Sequence, residues 1–167
     1  MLTFQRATNA DIPVIQSIAE IAFTETYKNL ISREQNSYMM EMMYSTSSLN
    51  EQLAEGHIYI IAKKDDKAVG YVSVSPETED TCHLQKIYVL PSEQSNGIGR
   101  ELFCEALKVG RELCKTSPFA IELNVNRGNK AVTFYEHMGM HKDREGDFDI
   151  GNGFYMNDYI MKMTVSE

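Results

Sequence analysis

Cysteines, basic residues and long apolar runs are scarce in this 167-residue chain, and each shortage excludes a class of protein. The three cysteines, Cys82, Cys104 and Cys114, match no metal-binding spacing, so we expect reduced thiols in the core. Sixteen basic against 24 acidic residues give a net charge of −8, which argues against a nucleic-acid partner. No apolar run reaches membrane-spanning length, and the N-terminus lacks a signal-peptide core. We therefore expect a soluble, cytoplasmic protein with no membrane partner.

Hydrophobic periodicity predicts one α/β domain over residues 1–167, with strands and helices alternating in the second half. Thr8 with Asp11 predicts one helix start, and Ser32 with Gln35 predicts another. A short helix is expected near 49–54, and a longer one over 97–114. The predicted strands lie in LTFQRA, HIYIIAKK, AVGYVSVS, TCHLQKIYVLP, FAIELNVN and a closing hairpin turned at 151–153. This order indicates a mixed sheet with helices on both faces.

The stretch YVLPSEQSNGIGRELF, residues 88–103, places a glycine turn between a strand and a helix. Unpaired N–H groups at a helix start, together with the helix dipole, favour binding of an anion such as a phosphate. A P-loop is excluded because Arg100 and Glu101, and not Lys-Ser/Thr, follow Gly99. A dinucleotide fingerprint is excluded because Leu102 stands where a third small residue is needed. A loose glycine turn alone can equally be structural.

The turn and a second segment, LNVNRGNKAVTFYEHMGM, together resemble the GNAT superfamily of N-acetyltransferases. The first stretch is similar to that family's acetyl-CoA signature, and the second to its Asn-x-x-Ala-x-x-Phe-Tyr segment. HLQKIYVL and FYMNDYIMKM look closest to the polyamine and diamine acetyltransferase-like branch. The resemblance implies a mostly antiparallel central sheet, splayed where acetyl-CoA binds. It also implies an enzyme that transfers acetyl to a primary amine by direct attack in a ternary complex.

The resemblance further implies which residues bind coenzyme A. Backbone amides of the turn would bind the pyrophosphate, and the strand before it would contact the pantetheine and supply an oxyanion donor. Gln94 would brace the loop or the pyrophosphate, and Arg100 would add charge unless it is a solvated helix residue. Asn124, a residue disfavoured in central strands, would face the cofactor unless it is simply a polar strand end. Asn129 would contact the cofactor unless it only caps the next helix. The implied cofactor-binding set is Ile87, Tyr88, Val89, Gln94, Ser95, Asn96, Gly97, Ile98, Gly99, Arg100, Asn124, Asn129 and Tyr135.

Two residues are candidates for acid–base catalysis. Tyr135 takes the family's tyrosine position, and a phenol with a pKa near ~10 can protonate a leaving thiolate. The alternative is an aromatic that packs beside Phe134. His83 stands where many family members carry Glu, and an imidazole with a reference pKa near ~6.5 can accept the amine proton. A lone strand histidine can also be structural, in which case Glu25 or a water is the next candidate base.

The resemblance places the acceptor pocket between the first two helices. Tyr27 and Glu25 there could hold a cationic amine through the aromatic ring and the carboxylate, or they could be ordinary surface residues. The negative net charge favours a cationic small molecule, although it can equally serve solubility. A protein N-terminus, a lysine side chain and a non-catalytic acyl-CoA sensor stay open as alternatives. His137 and His141 lack a third ligand, so no metal is expected, and a homodimer is left open.

Overall fold

The computed structural model describes residues 1–166 and contains one seven-stranded sheet in the order β1-β2-β3-β4-β5-β7-β6. Each neighbouring pair is antiparallel except β4 with β5, which is parallel. The mixed, mostly antiparallel sheet predicted from the sequence is therefore confirmed. The strands are β1 Leu2–Arg6, β2 Ile58–Lys64, β3 Lys67–Pro76, β4 Thr81–Val89, β5 Phe119–Asn126, β6 His141–Gly151 and β7 Phe154–Val165.

Five α-helices cover the two faces of the sheet. Thr8 and Asp11 form the expected capping box ahead of the first helix, and Ser32 accepts a hydrogen bond from the Gln35 amide at the start of the second. Helices one to three pack on one face, whereas helices four and five pack on the other. The helices are α1 Ile12–Tyr27, α2 Arg33–Tyr44, α3 Thr46–Ala54, α4 Ile98–Leu113 and α5 Ala131–His137.

The parallel junction between β4 and β5 is short. Only three pairs join the strands, from Thr81 with Ala120 to His83 with Glu122, although β4 continues to Val89 and β5 to Asn126. On its other edge, β5 pairs with β7 along all its eight residues. The sheet therefore splits beyond His83 and leaves a V-shaped gap between two strands that are each supported from outside. The splayed sheet expected from the resemblance is present.

A β-bulge in β4 changes which face of the sheet its side chains point to. Ser73 of β3 pairs with Lys86 and Val74 pairs with Leu84, so Gln85 is the extra residue. Before the bulge, Leu84 packs into the core beneath α4; after it, Lys86 and Tyr88 turn toward the α1–α3 face. The bulge thus sends two large polar side chains of β4 to the face opposite α4, next to the gap.

The three cysteines differ in their burial. Cys82 and Cys114 are buried as predicted, but Cys104 is exposed, because it lies on the solvent side of α4 while its neighbour Phe103 is fully buried. The prediction that all three thiols lie in the core was wrong for that residue. Within residues 1–166, no helix combines the length and apolar character needed to cross a membrane.

Candidate functional site

A cavity of about 880 Å³ occupies the gap between β4 and β5 and opens toward both faces of the sheet. The end of α1 with the following loop lines one side, and the start of α4 together with α5 lines the other. Most residues predicted for the site meet here. Those that line the cavity are Glu25, Tyr27, Ile87, Tyr88, Val89, Gln94, Ser95, Gly97, Ile98, Gly99, Arg100, Asn124, Asn129 and Tyr135.

The glycine turn forms the anion-binding end of this cavity. Strand β4 stops at Val89, and Gly97 adopts a left-handed conformation (φ 77°) directly before the first residue of α4. No side chain of the described residues caps this helix start, so its first amides stay available. A Cβ added at Gly97 would meet no protein atom within 4 Å, so the space in front of the turn is open. The turn therefore fits a phosphate group.

The two diverging strands form the walls of the cavity. Beyond His83 in β4 and Glu122 in β5, the two edges that face the gap pair with no strand within residues 1–166. Their main-chain groups at Ile87, Val89 and Asn124 can therefore pair with an extended ligand placed between them, since buried backbone groups need partners. A ligand that imitates a β-strand fits this arrangement.

Three tyrosines from different elements converge on the cavity. Tyr27 ends α1, Tyr88 lies on β4 and Tyr135 lies on α5, and all three line it. Tyr135 is 7% exposed, and burial raises its pKa. Burial likewise raises the pKa of Tyr27 and of Tyr88. All three phenols therefore keep their protons at neutral pH, where each can donate a proton or form hydrogen bonds but cannot act as a phenolate base.

Polar side chains of the loops brace the site. Gln94 donates to the Val89 carbonyl at 3.3 Å, which ties the glycine turn to the end of β4. Asn129 lines the cavity, and its side chain accepts the amide of Ala131, the first residue of α5, at 2.9 Å. Asn124 is exposed to the cavity, and its Nδ2 donates to the Asp158 carboxylate at 3.3 Å. Glu25 pairs with Lys28 at 2.7 Å on the rim.

The structure places two of the predicted residues away from the cavity lining. His83 lies at the closed vertex of the gap, in the last β4–β5 pair, and its Nδ1 contacts Glu77 at 2.9 Å. Asn96 is exposed, and its side chain lies 3.4 Å from Glu93. Neither residue is among the described residues that line the cavity. This position does not support His83 as the base, and a catalytic role for it stays a prediction.

Lys86 is a cavity residue that sequence reasoning missed. Its ammonium group donates to the Met43 carbonyl at 3.0 Å, to Gln52 at 3.1 Å and to the Tyr59 hydroxyl at 2.6 Å. It also lies 4.1 Å from the centre of the Tyr44 ring. Burial lowers its pKa to about 7, although these acceptors and the ring favour the charged form. Only the bulge in β4, which no local sequence pattern indicated, turns this side chain inward.

Asp158 was also missed. It lies on β7 opposite Asn126 and is 4% exposed, and burial raises the pKa of its carboxyl group. A signal was available, because the acidic residue alternates with Met156 and Ile160 in FYMNDYIMKM and so shares their buried face.

Comparison with known proteins identifies the class to which this fold and cavity belong. Residues 27–163 match the model of the acetyltransferase (GNAT) domain, so the chain belongs to the GNAT acetyltransferase family. An uncharacterised N-acetyltransferase from Lactobacillus delbrueckii is 24% identical over 169 residues, covering 96% of this chain and 95% of that protein. YjgM, an uncharacterised N-acetyltransferase from Escherichia coli, is 30% identical over 93 residues. That alignment spans only 50% of this chain and 51% of YjgM.

Solved structures share the fold at low identity. PaiA N-acetyltransferase from Thermoplasma acidophilum, crystallised with coenzyme A, superposes with a TM-score of 0.81 at 18% identity over 99% of both chains. The ribosomal-protein-S18-alanine N-acetyltransferase from Escherichia coli gives 0.73 at 18% identity, over 100% of this chain and 96% of that one. The match of residues 27–163 to the GNAT domain confirms the predicted superfamily and enzyme class. The narrower polyamine and diamine branch stays a prediction.

Proposed function

We propose that this protein transfers the acetyl group of acetyl-CoA to a primary amine by direct attack in a ternary complex. The observation that carries the proposal is the split between β4 and β5, which is bordered at one end by the uncapped glycine turn. The family match to residues 27–163 supports the same reaction. Within the cavity lining of the described residues there is no cysteine, so a covalent acyl-cysteine route has no candidate nucleophile there.

The chain's own residues would hold coenzyme A at two places. The first amides of α4, behind Gly97 and Gly99, would bind the pyrophosphate, and Arg100 would add a positive charge. The free edges of β4 and β5 would bind the pantetheine through main-chain hydrogen bonds. Bound there, acetyl-CoA supplies an acetyl group activated as a thioester. The protein contributes orientation, which accounts for much of the rate of such reactions.

Tyr135 would supply the proton that the departing sulfur needs. Its hydroxyl stays protonated at neutral pH because burial raises its pKa, and its ring is fixed against Phe103 and Phe134. The amine would approach from the opposite face, between Tyr27 and Tyr88, where Glu25 stands on the rim. An amine reacts only without its extra proton, so a base or a water must remove that proton before attack.

The acceptor that the site supports best is a small diamine or polyamine. The rings of Tyr27 and Tyr88 and the carboxylate of Glu25, near the α1 end, suit a compact cation, and the net charge of −8 would favour its approach. One test is to screen amines for release of free coenzyme A from acetyl-CoA. Spermidine and 1,4-diaminobutane should be acetylated faster than a peptide with a free N-terminal alanine. The reverse ranking would favour a protein acceptor, and coenzyme A binding without any turnover would favour a sensor.

A further inference from the structure

The Asp158 carboxylate is a buried charge with an incomplete set of partners. Its Oδ2 accepts from Asn124 at 3.3 Å, whereas its Oδ1 is buried and has no hydrogen-bond partner within residues 1–166. A buried carboxylate oxygen without a donor is costly, since the charge has lost water and gained nothing in exchange. Such a group calls for a functional explanation.

The guanidinium of Arg127 does not donate to the unpaired Oδ1 of Asp158. Arg127 donates through Nη1 to the main-chain carbonyl of Asp158, at 3.4 Å, and through Nη2 to the Asp147 carboxylate at 2.6 Å. The guanidinium therefore pairs with an exposed acid on β6 and leaves the Asp158 side chain free. The other buried acid of the described residues, Glu122, already pairs with Arg144 at 2.7 Å. Of the two buried acids in residues 1–166, Asp158 is thus the one without an ion-pair partner, although the nearby charge of Arg127 acts to lower its pKa.

Within residues 1–166, Asp158 does not itself line the cavity, but its hydrogen-bond partner does. Asn124, which holds its Oδ2, lines the cavity, and so does Tyr27 from the end of α1. Burial raises the pKa of the Tyr27 hydroxyl, and the charge of Asp158 raises it further. Asp158 also faces the α1–α3 side of the sheet, because Met156, two residues earlier on β7, packs in that core. This is the side opposite the one on which α4 and α5 pack.

We propose that the Asp158 carboxylate binds the non-reacting ammonium group of a diamine or polyamine acceptor beside Asn124, while the other amino group gives up its extra proton before it attacks the thioester. This inference rests on the proposed function for the identity of the reaction, but not for the contact itself. A primary ammonium offers three donors, of which one would complete Oδ1. Aromatic rings at Tyr27 and Tyr88 would surround its apolar chain. Acceptors that stay neutral in water would gain nothing from this carboxylate.

The test compares Asp158→Asn with the matched control Asp66→Asn in the full chain. The amide introduced by Asp158→Asn can still accept the hydrogen bond from Asn124, so the substitution removes mainly the charge. Asp66 is exposed in the turn after β2, where φ is 68°, a conformation that asparagine tolerates, and its replacement changes the net charge equally. Each variant is saturated with coenzyme A and titrated with 1,4-diaminobutane by calorimetry. Coenzyme A affinity checks that each variant is folded.

We expect Asp66→Asn to bind the diamine as the wild type does, and Asp158→Asn to bind it at least about tenfold more weakly. Coenzyme A affinity should be equal in all three proteins. In turnover assays the loss should appear mainly in KM for the amine and less in kcat. Equal diamine affinity in both variants, or no diamine binding to the wild type, would overturn the assignment.

A second measurement covers the case in which Asp158→Asn does not fold. Wild-type protein with ¹³C-labelled aspartate carboxyl groups is titrated with 1,4-diaminobutane in the presence of coenzyme A. The Asp158 carboxyl signal should move with the amine, and an unmoved signal would overturn the proposal. Diamine binding that depends on Asp158 without any acetyl transfer would contradict the proposed function and leave this inference standing.

Discussion

At the scale of single residues, Tyr135 carries the most specific chemical prediction. Its ring packs against Phe103 and Phe134, with centroid distances of 6.5 and 5.4 Å, and replacement by Phe keeps these contacts. Tyr135→Phe removes only the hydroxyl that would protonate the departing sulfur. We expect turnover to fall by ~10²–10⁴-fold, with thermal stability and coenzyme A affinity nearly unchanged. Steady-state kinetics, a melting curve and calorimetry on one preparation measure all three.

The matched control for this change is Tyr155→Phe. Tyr155 is 51% exposed on β7, and its side chain does not line the cavity among the described residues, so the same chemical change there should leave turnover intact. If Tyr135→Phe turns over acetyl-CoA as fast as the control, water donates the proton instead.

Lys86 gives a second residue-scale prediction, this time for stability. Lys86→Met keeps the length of the side chain but removes one donor from each of Gln52, Tyr59 and the Met43 carbonyl. Gln52 still donates to the Met43 carbonyl, and the Tyr59 hydroxyl still donates to Gln52. A hydrogen bond to a charged group typically contributes ~1.5–3 kcal/mol, and the three acceptors keep one another as partners, so we expect a drop near the lower end of that range in the free energy of unfolding at pH 7. Urea titration of the wild type and the variant measures it. An unchanged or higher stability would mean that desolvation of the ammonium outweighs its contacts.

The pH dependence of that difference follows from the lowered pKa of Lys86. Burial lowers the pKa in the folded protein to about 7, whereas the unfolded chain keeps the ordinary lysine pKa of 10.5. Between these values the unfolded state binds more protons, so the contribution of Lys86 to folding stability increases as pH rises. The gap between wild type and Lys86→Met should therefore widen from pH 7 to pH 9. A gap that is constant over this range would show that the ammonium is fully retained in the folded state.

At the scale of elements, the turn before α4 can be tested with two substitutions at Gly99. Gly99 has ordinary helical backbone, and an added Cβ would lie 3.7 Å from Phe134, an ordinary contact. Gly99→Ala should therefore fold and still bind coenzyme A. Gly99→Asp should also fold, since an acid suits a helix N-terminus, but its charge would stand where the pyrophosphate binds. Calorimetry should show at least about a tenfold further loss of affinity for the acid than for the alanine.

Equal affinities in the two Gly99 variants would place the pyrophosphate elsewhere. A melting curve for each variant supplies the control, because a variant that is folded but does not bind is the informative result.

Element boundaries were largely predictable because local signals set them. The predicted helix over 97–114 is observed as Ile98–Leu113, since the glycine turn fixes its start and an apolar stripe fixes its buried face. The closing hairpin turns where Gly151 and Gly153 adopt positive φ angles. The short helix near 49–54 begins earlier, at Thr46, because Ser45 caps it by accepting the Ser48 amide.

The face of the sheet to which a side chain points was harder to predict where it depends on pairing between strands. The extra residue at Gln85 becomes visible only when β3 lies beside β4, so the sequence did not reveal that Lys86 turns inward. The contact of Asp158 with Asn124 could not be predicted from the local sequence, because the two residues are 34 positions apart and meet only across the sheet. His83 matched the family position, yet its distance from the cavity lining depends on where the two strands separate.

At the scale of the whole molecule, the charge is distributed unevenly. The net charge is −8, but among the described residues the cavity lining contains four basic residues and a single acid, Glu25. The basic residues are Lys28, Lys86, Arg100 and Lys130. This arrangement suits an anionic cosubstrate inside the cavity, while the surrounding molecule attracts cations.

This charge distribution should make the reaction with a polyamine more sensitive to salt than the reaction with a monoamine. Spermidine carries about three positive charges at neutral pH and n-butylamine about one, so the field of an acidic protein attracts spermidine more strongly. Salt shortens the Debye length to ~10 Å at 0.1 M and weakens this attraction. We expect kcat/KM for spermidine to fall several-fold between about 25 and 300 mM NaCl, and to fall more steeply than for n-butylamine. Measuring both amines on one preparation cancels the effect of salt on acetyl-CoA binding, because both reactions share that step. Parallel salt dependences would show that the molecular charge does not steer the acceptor, and that selection among amines rests on contacts inside the cavity.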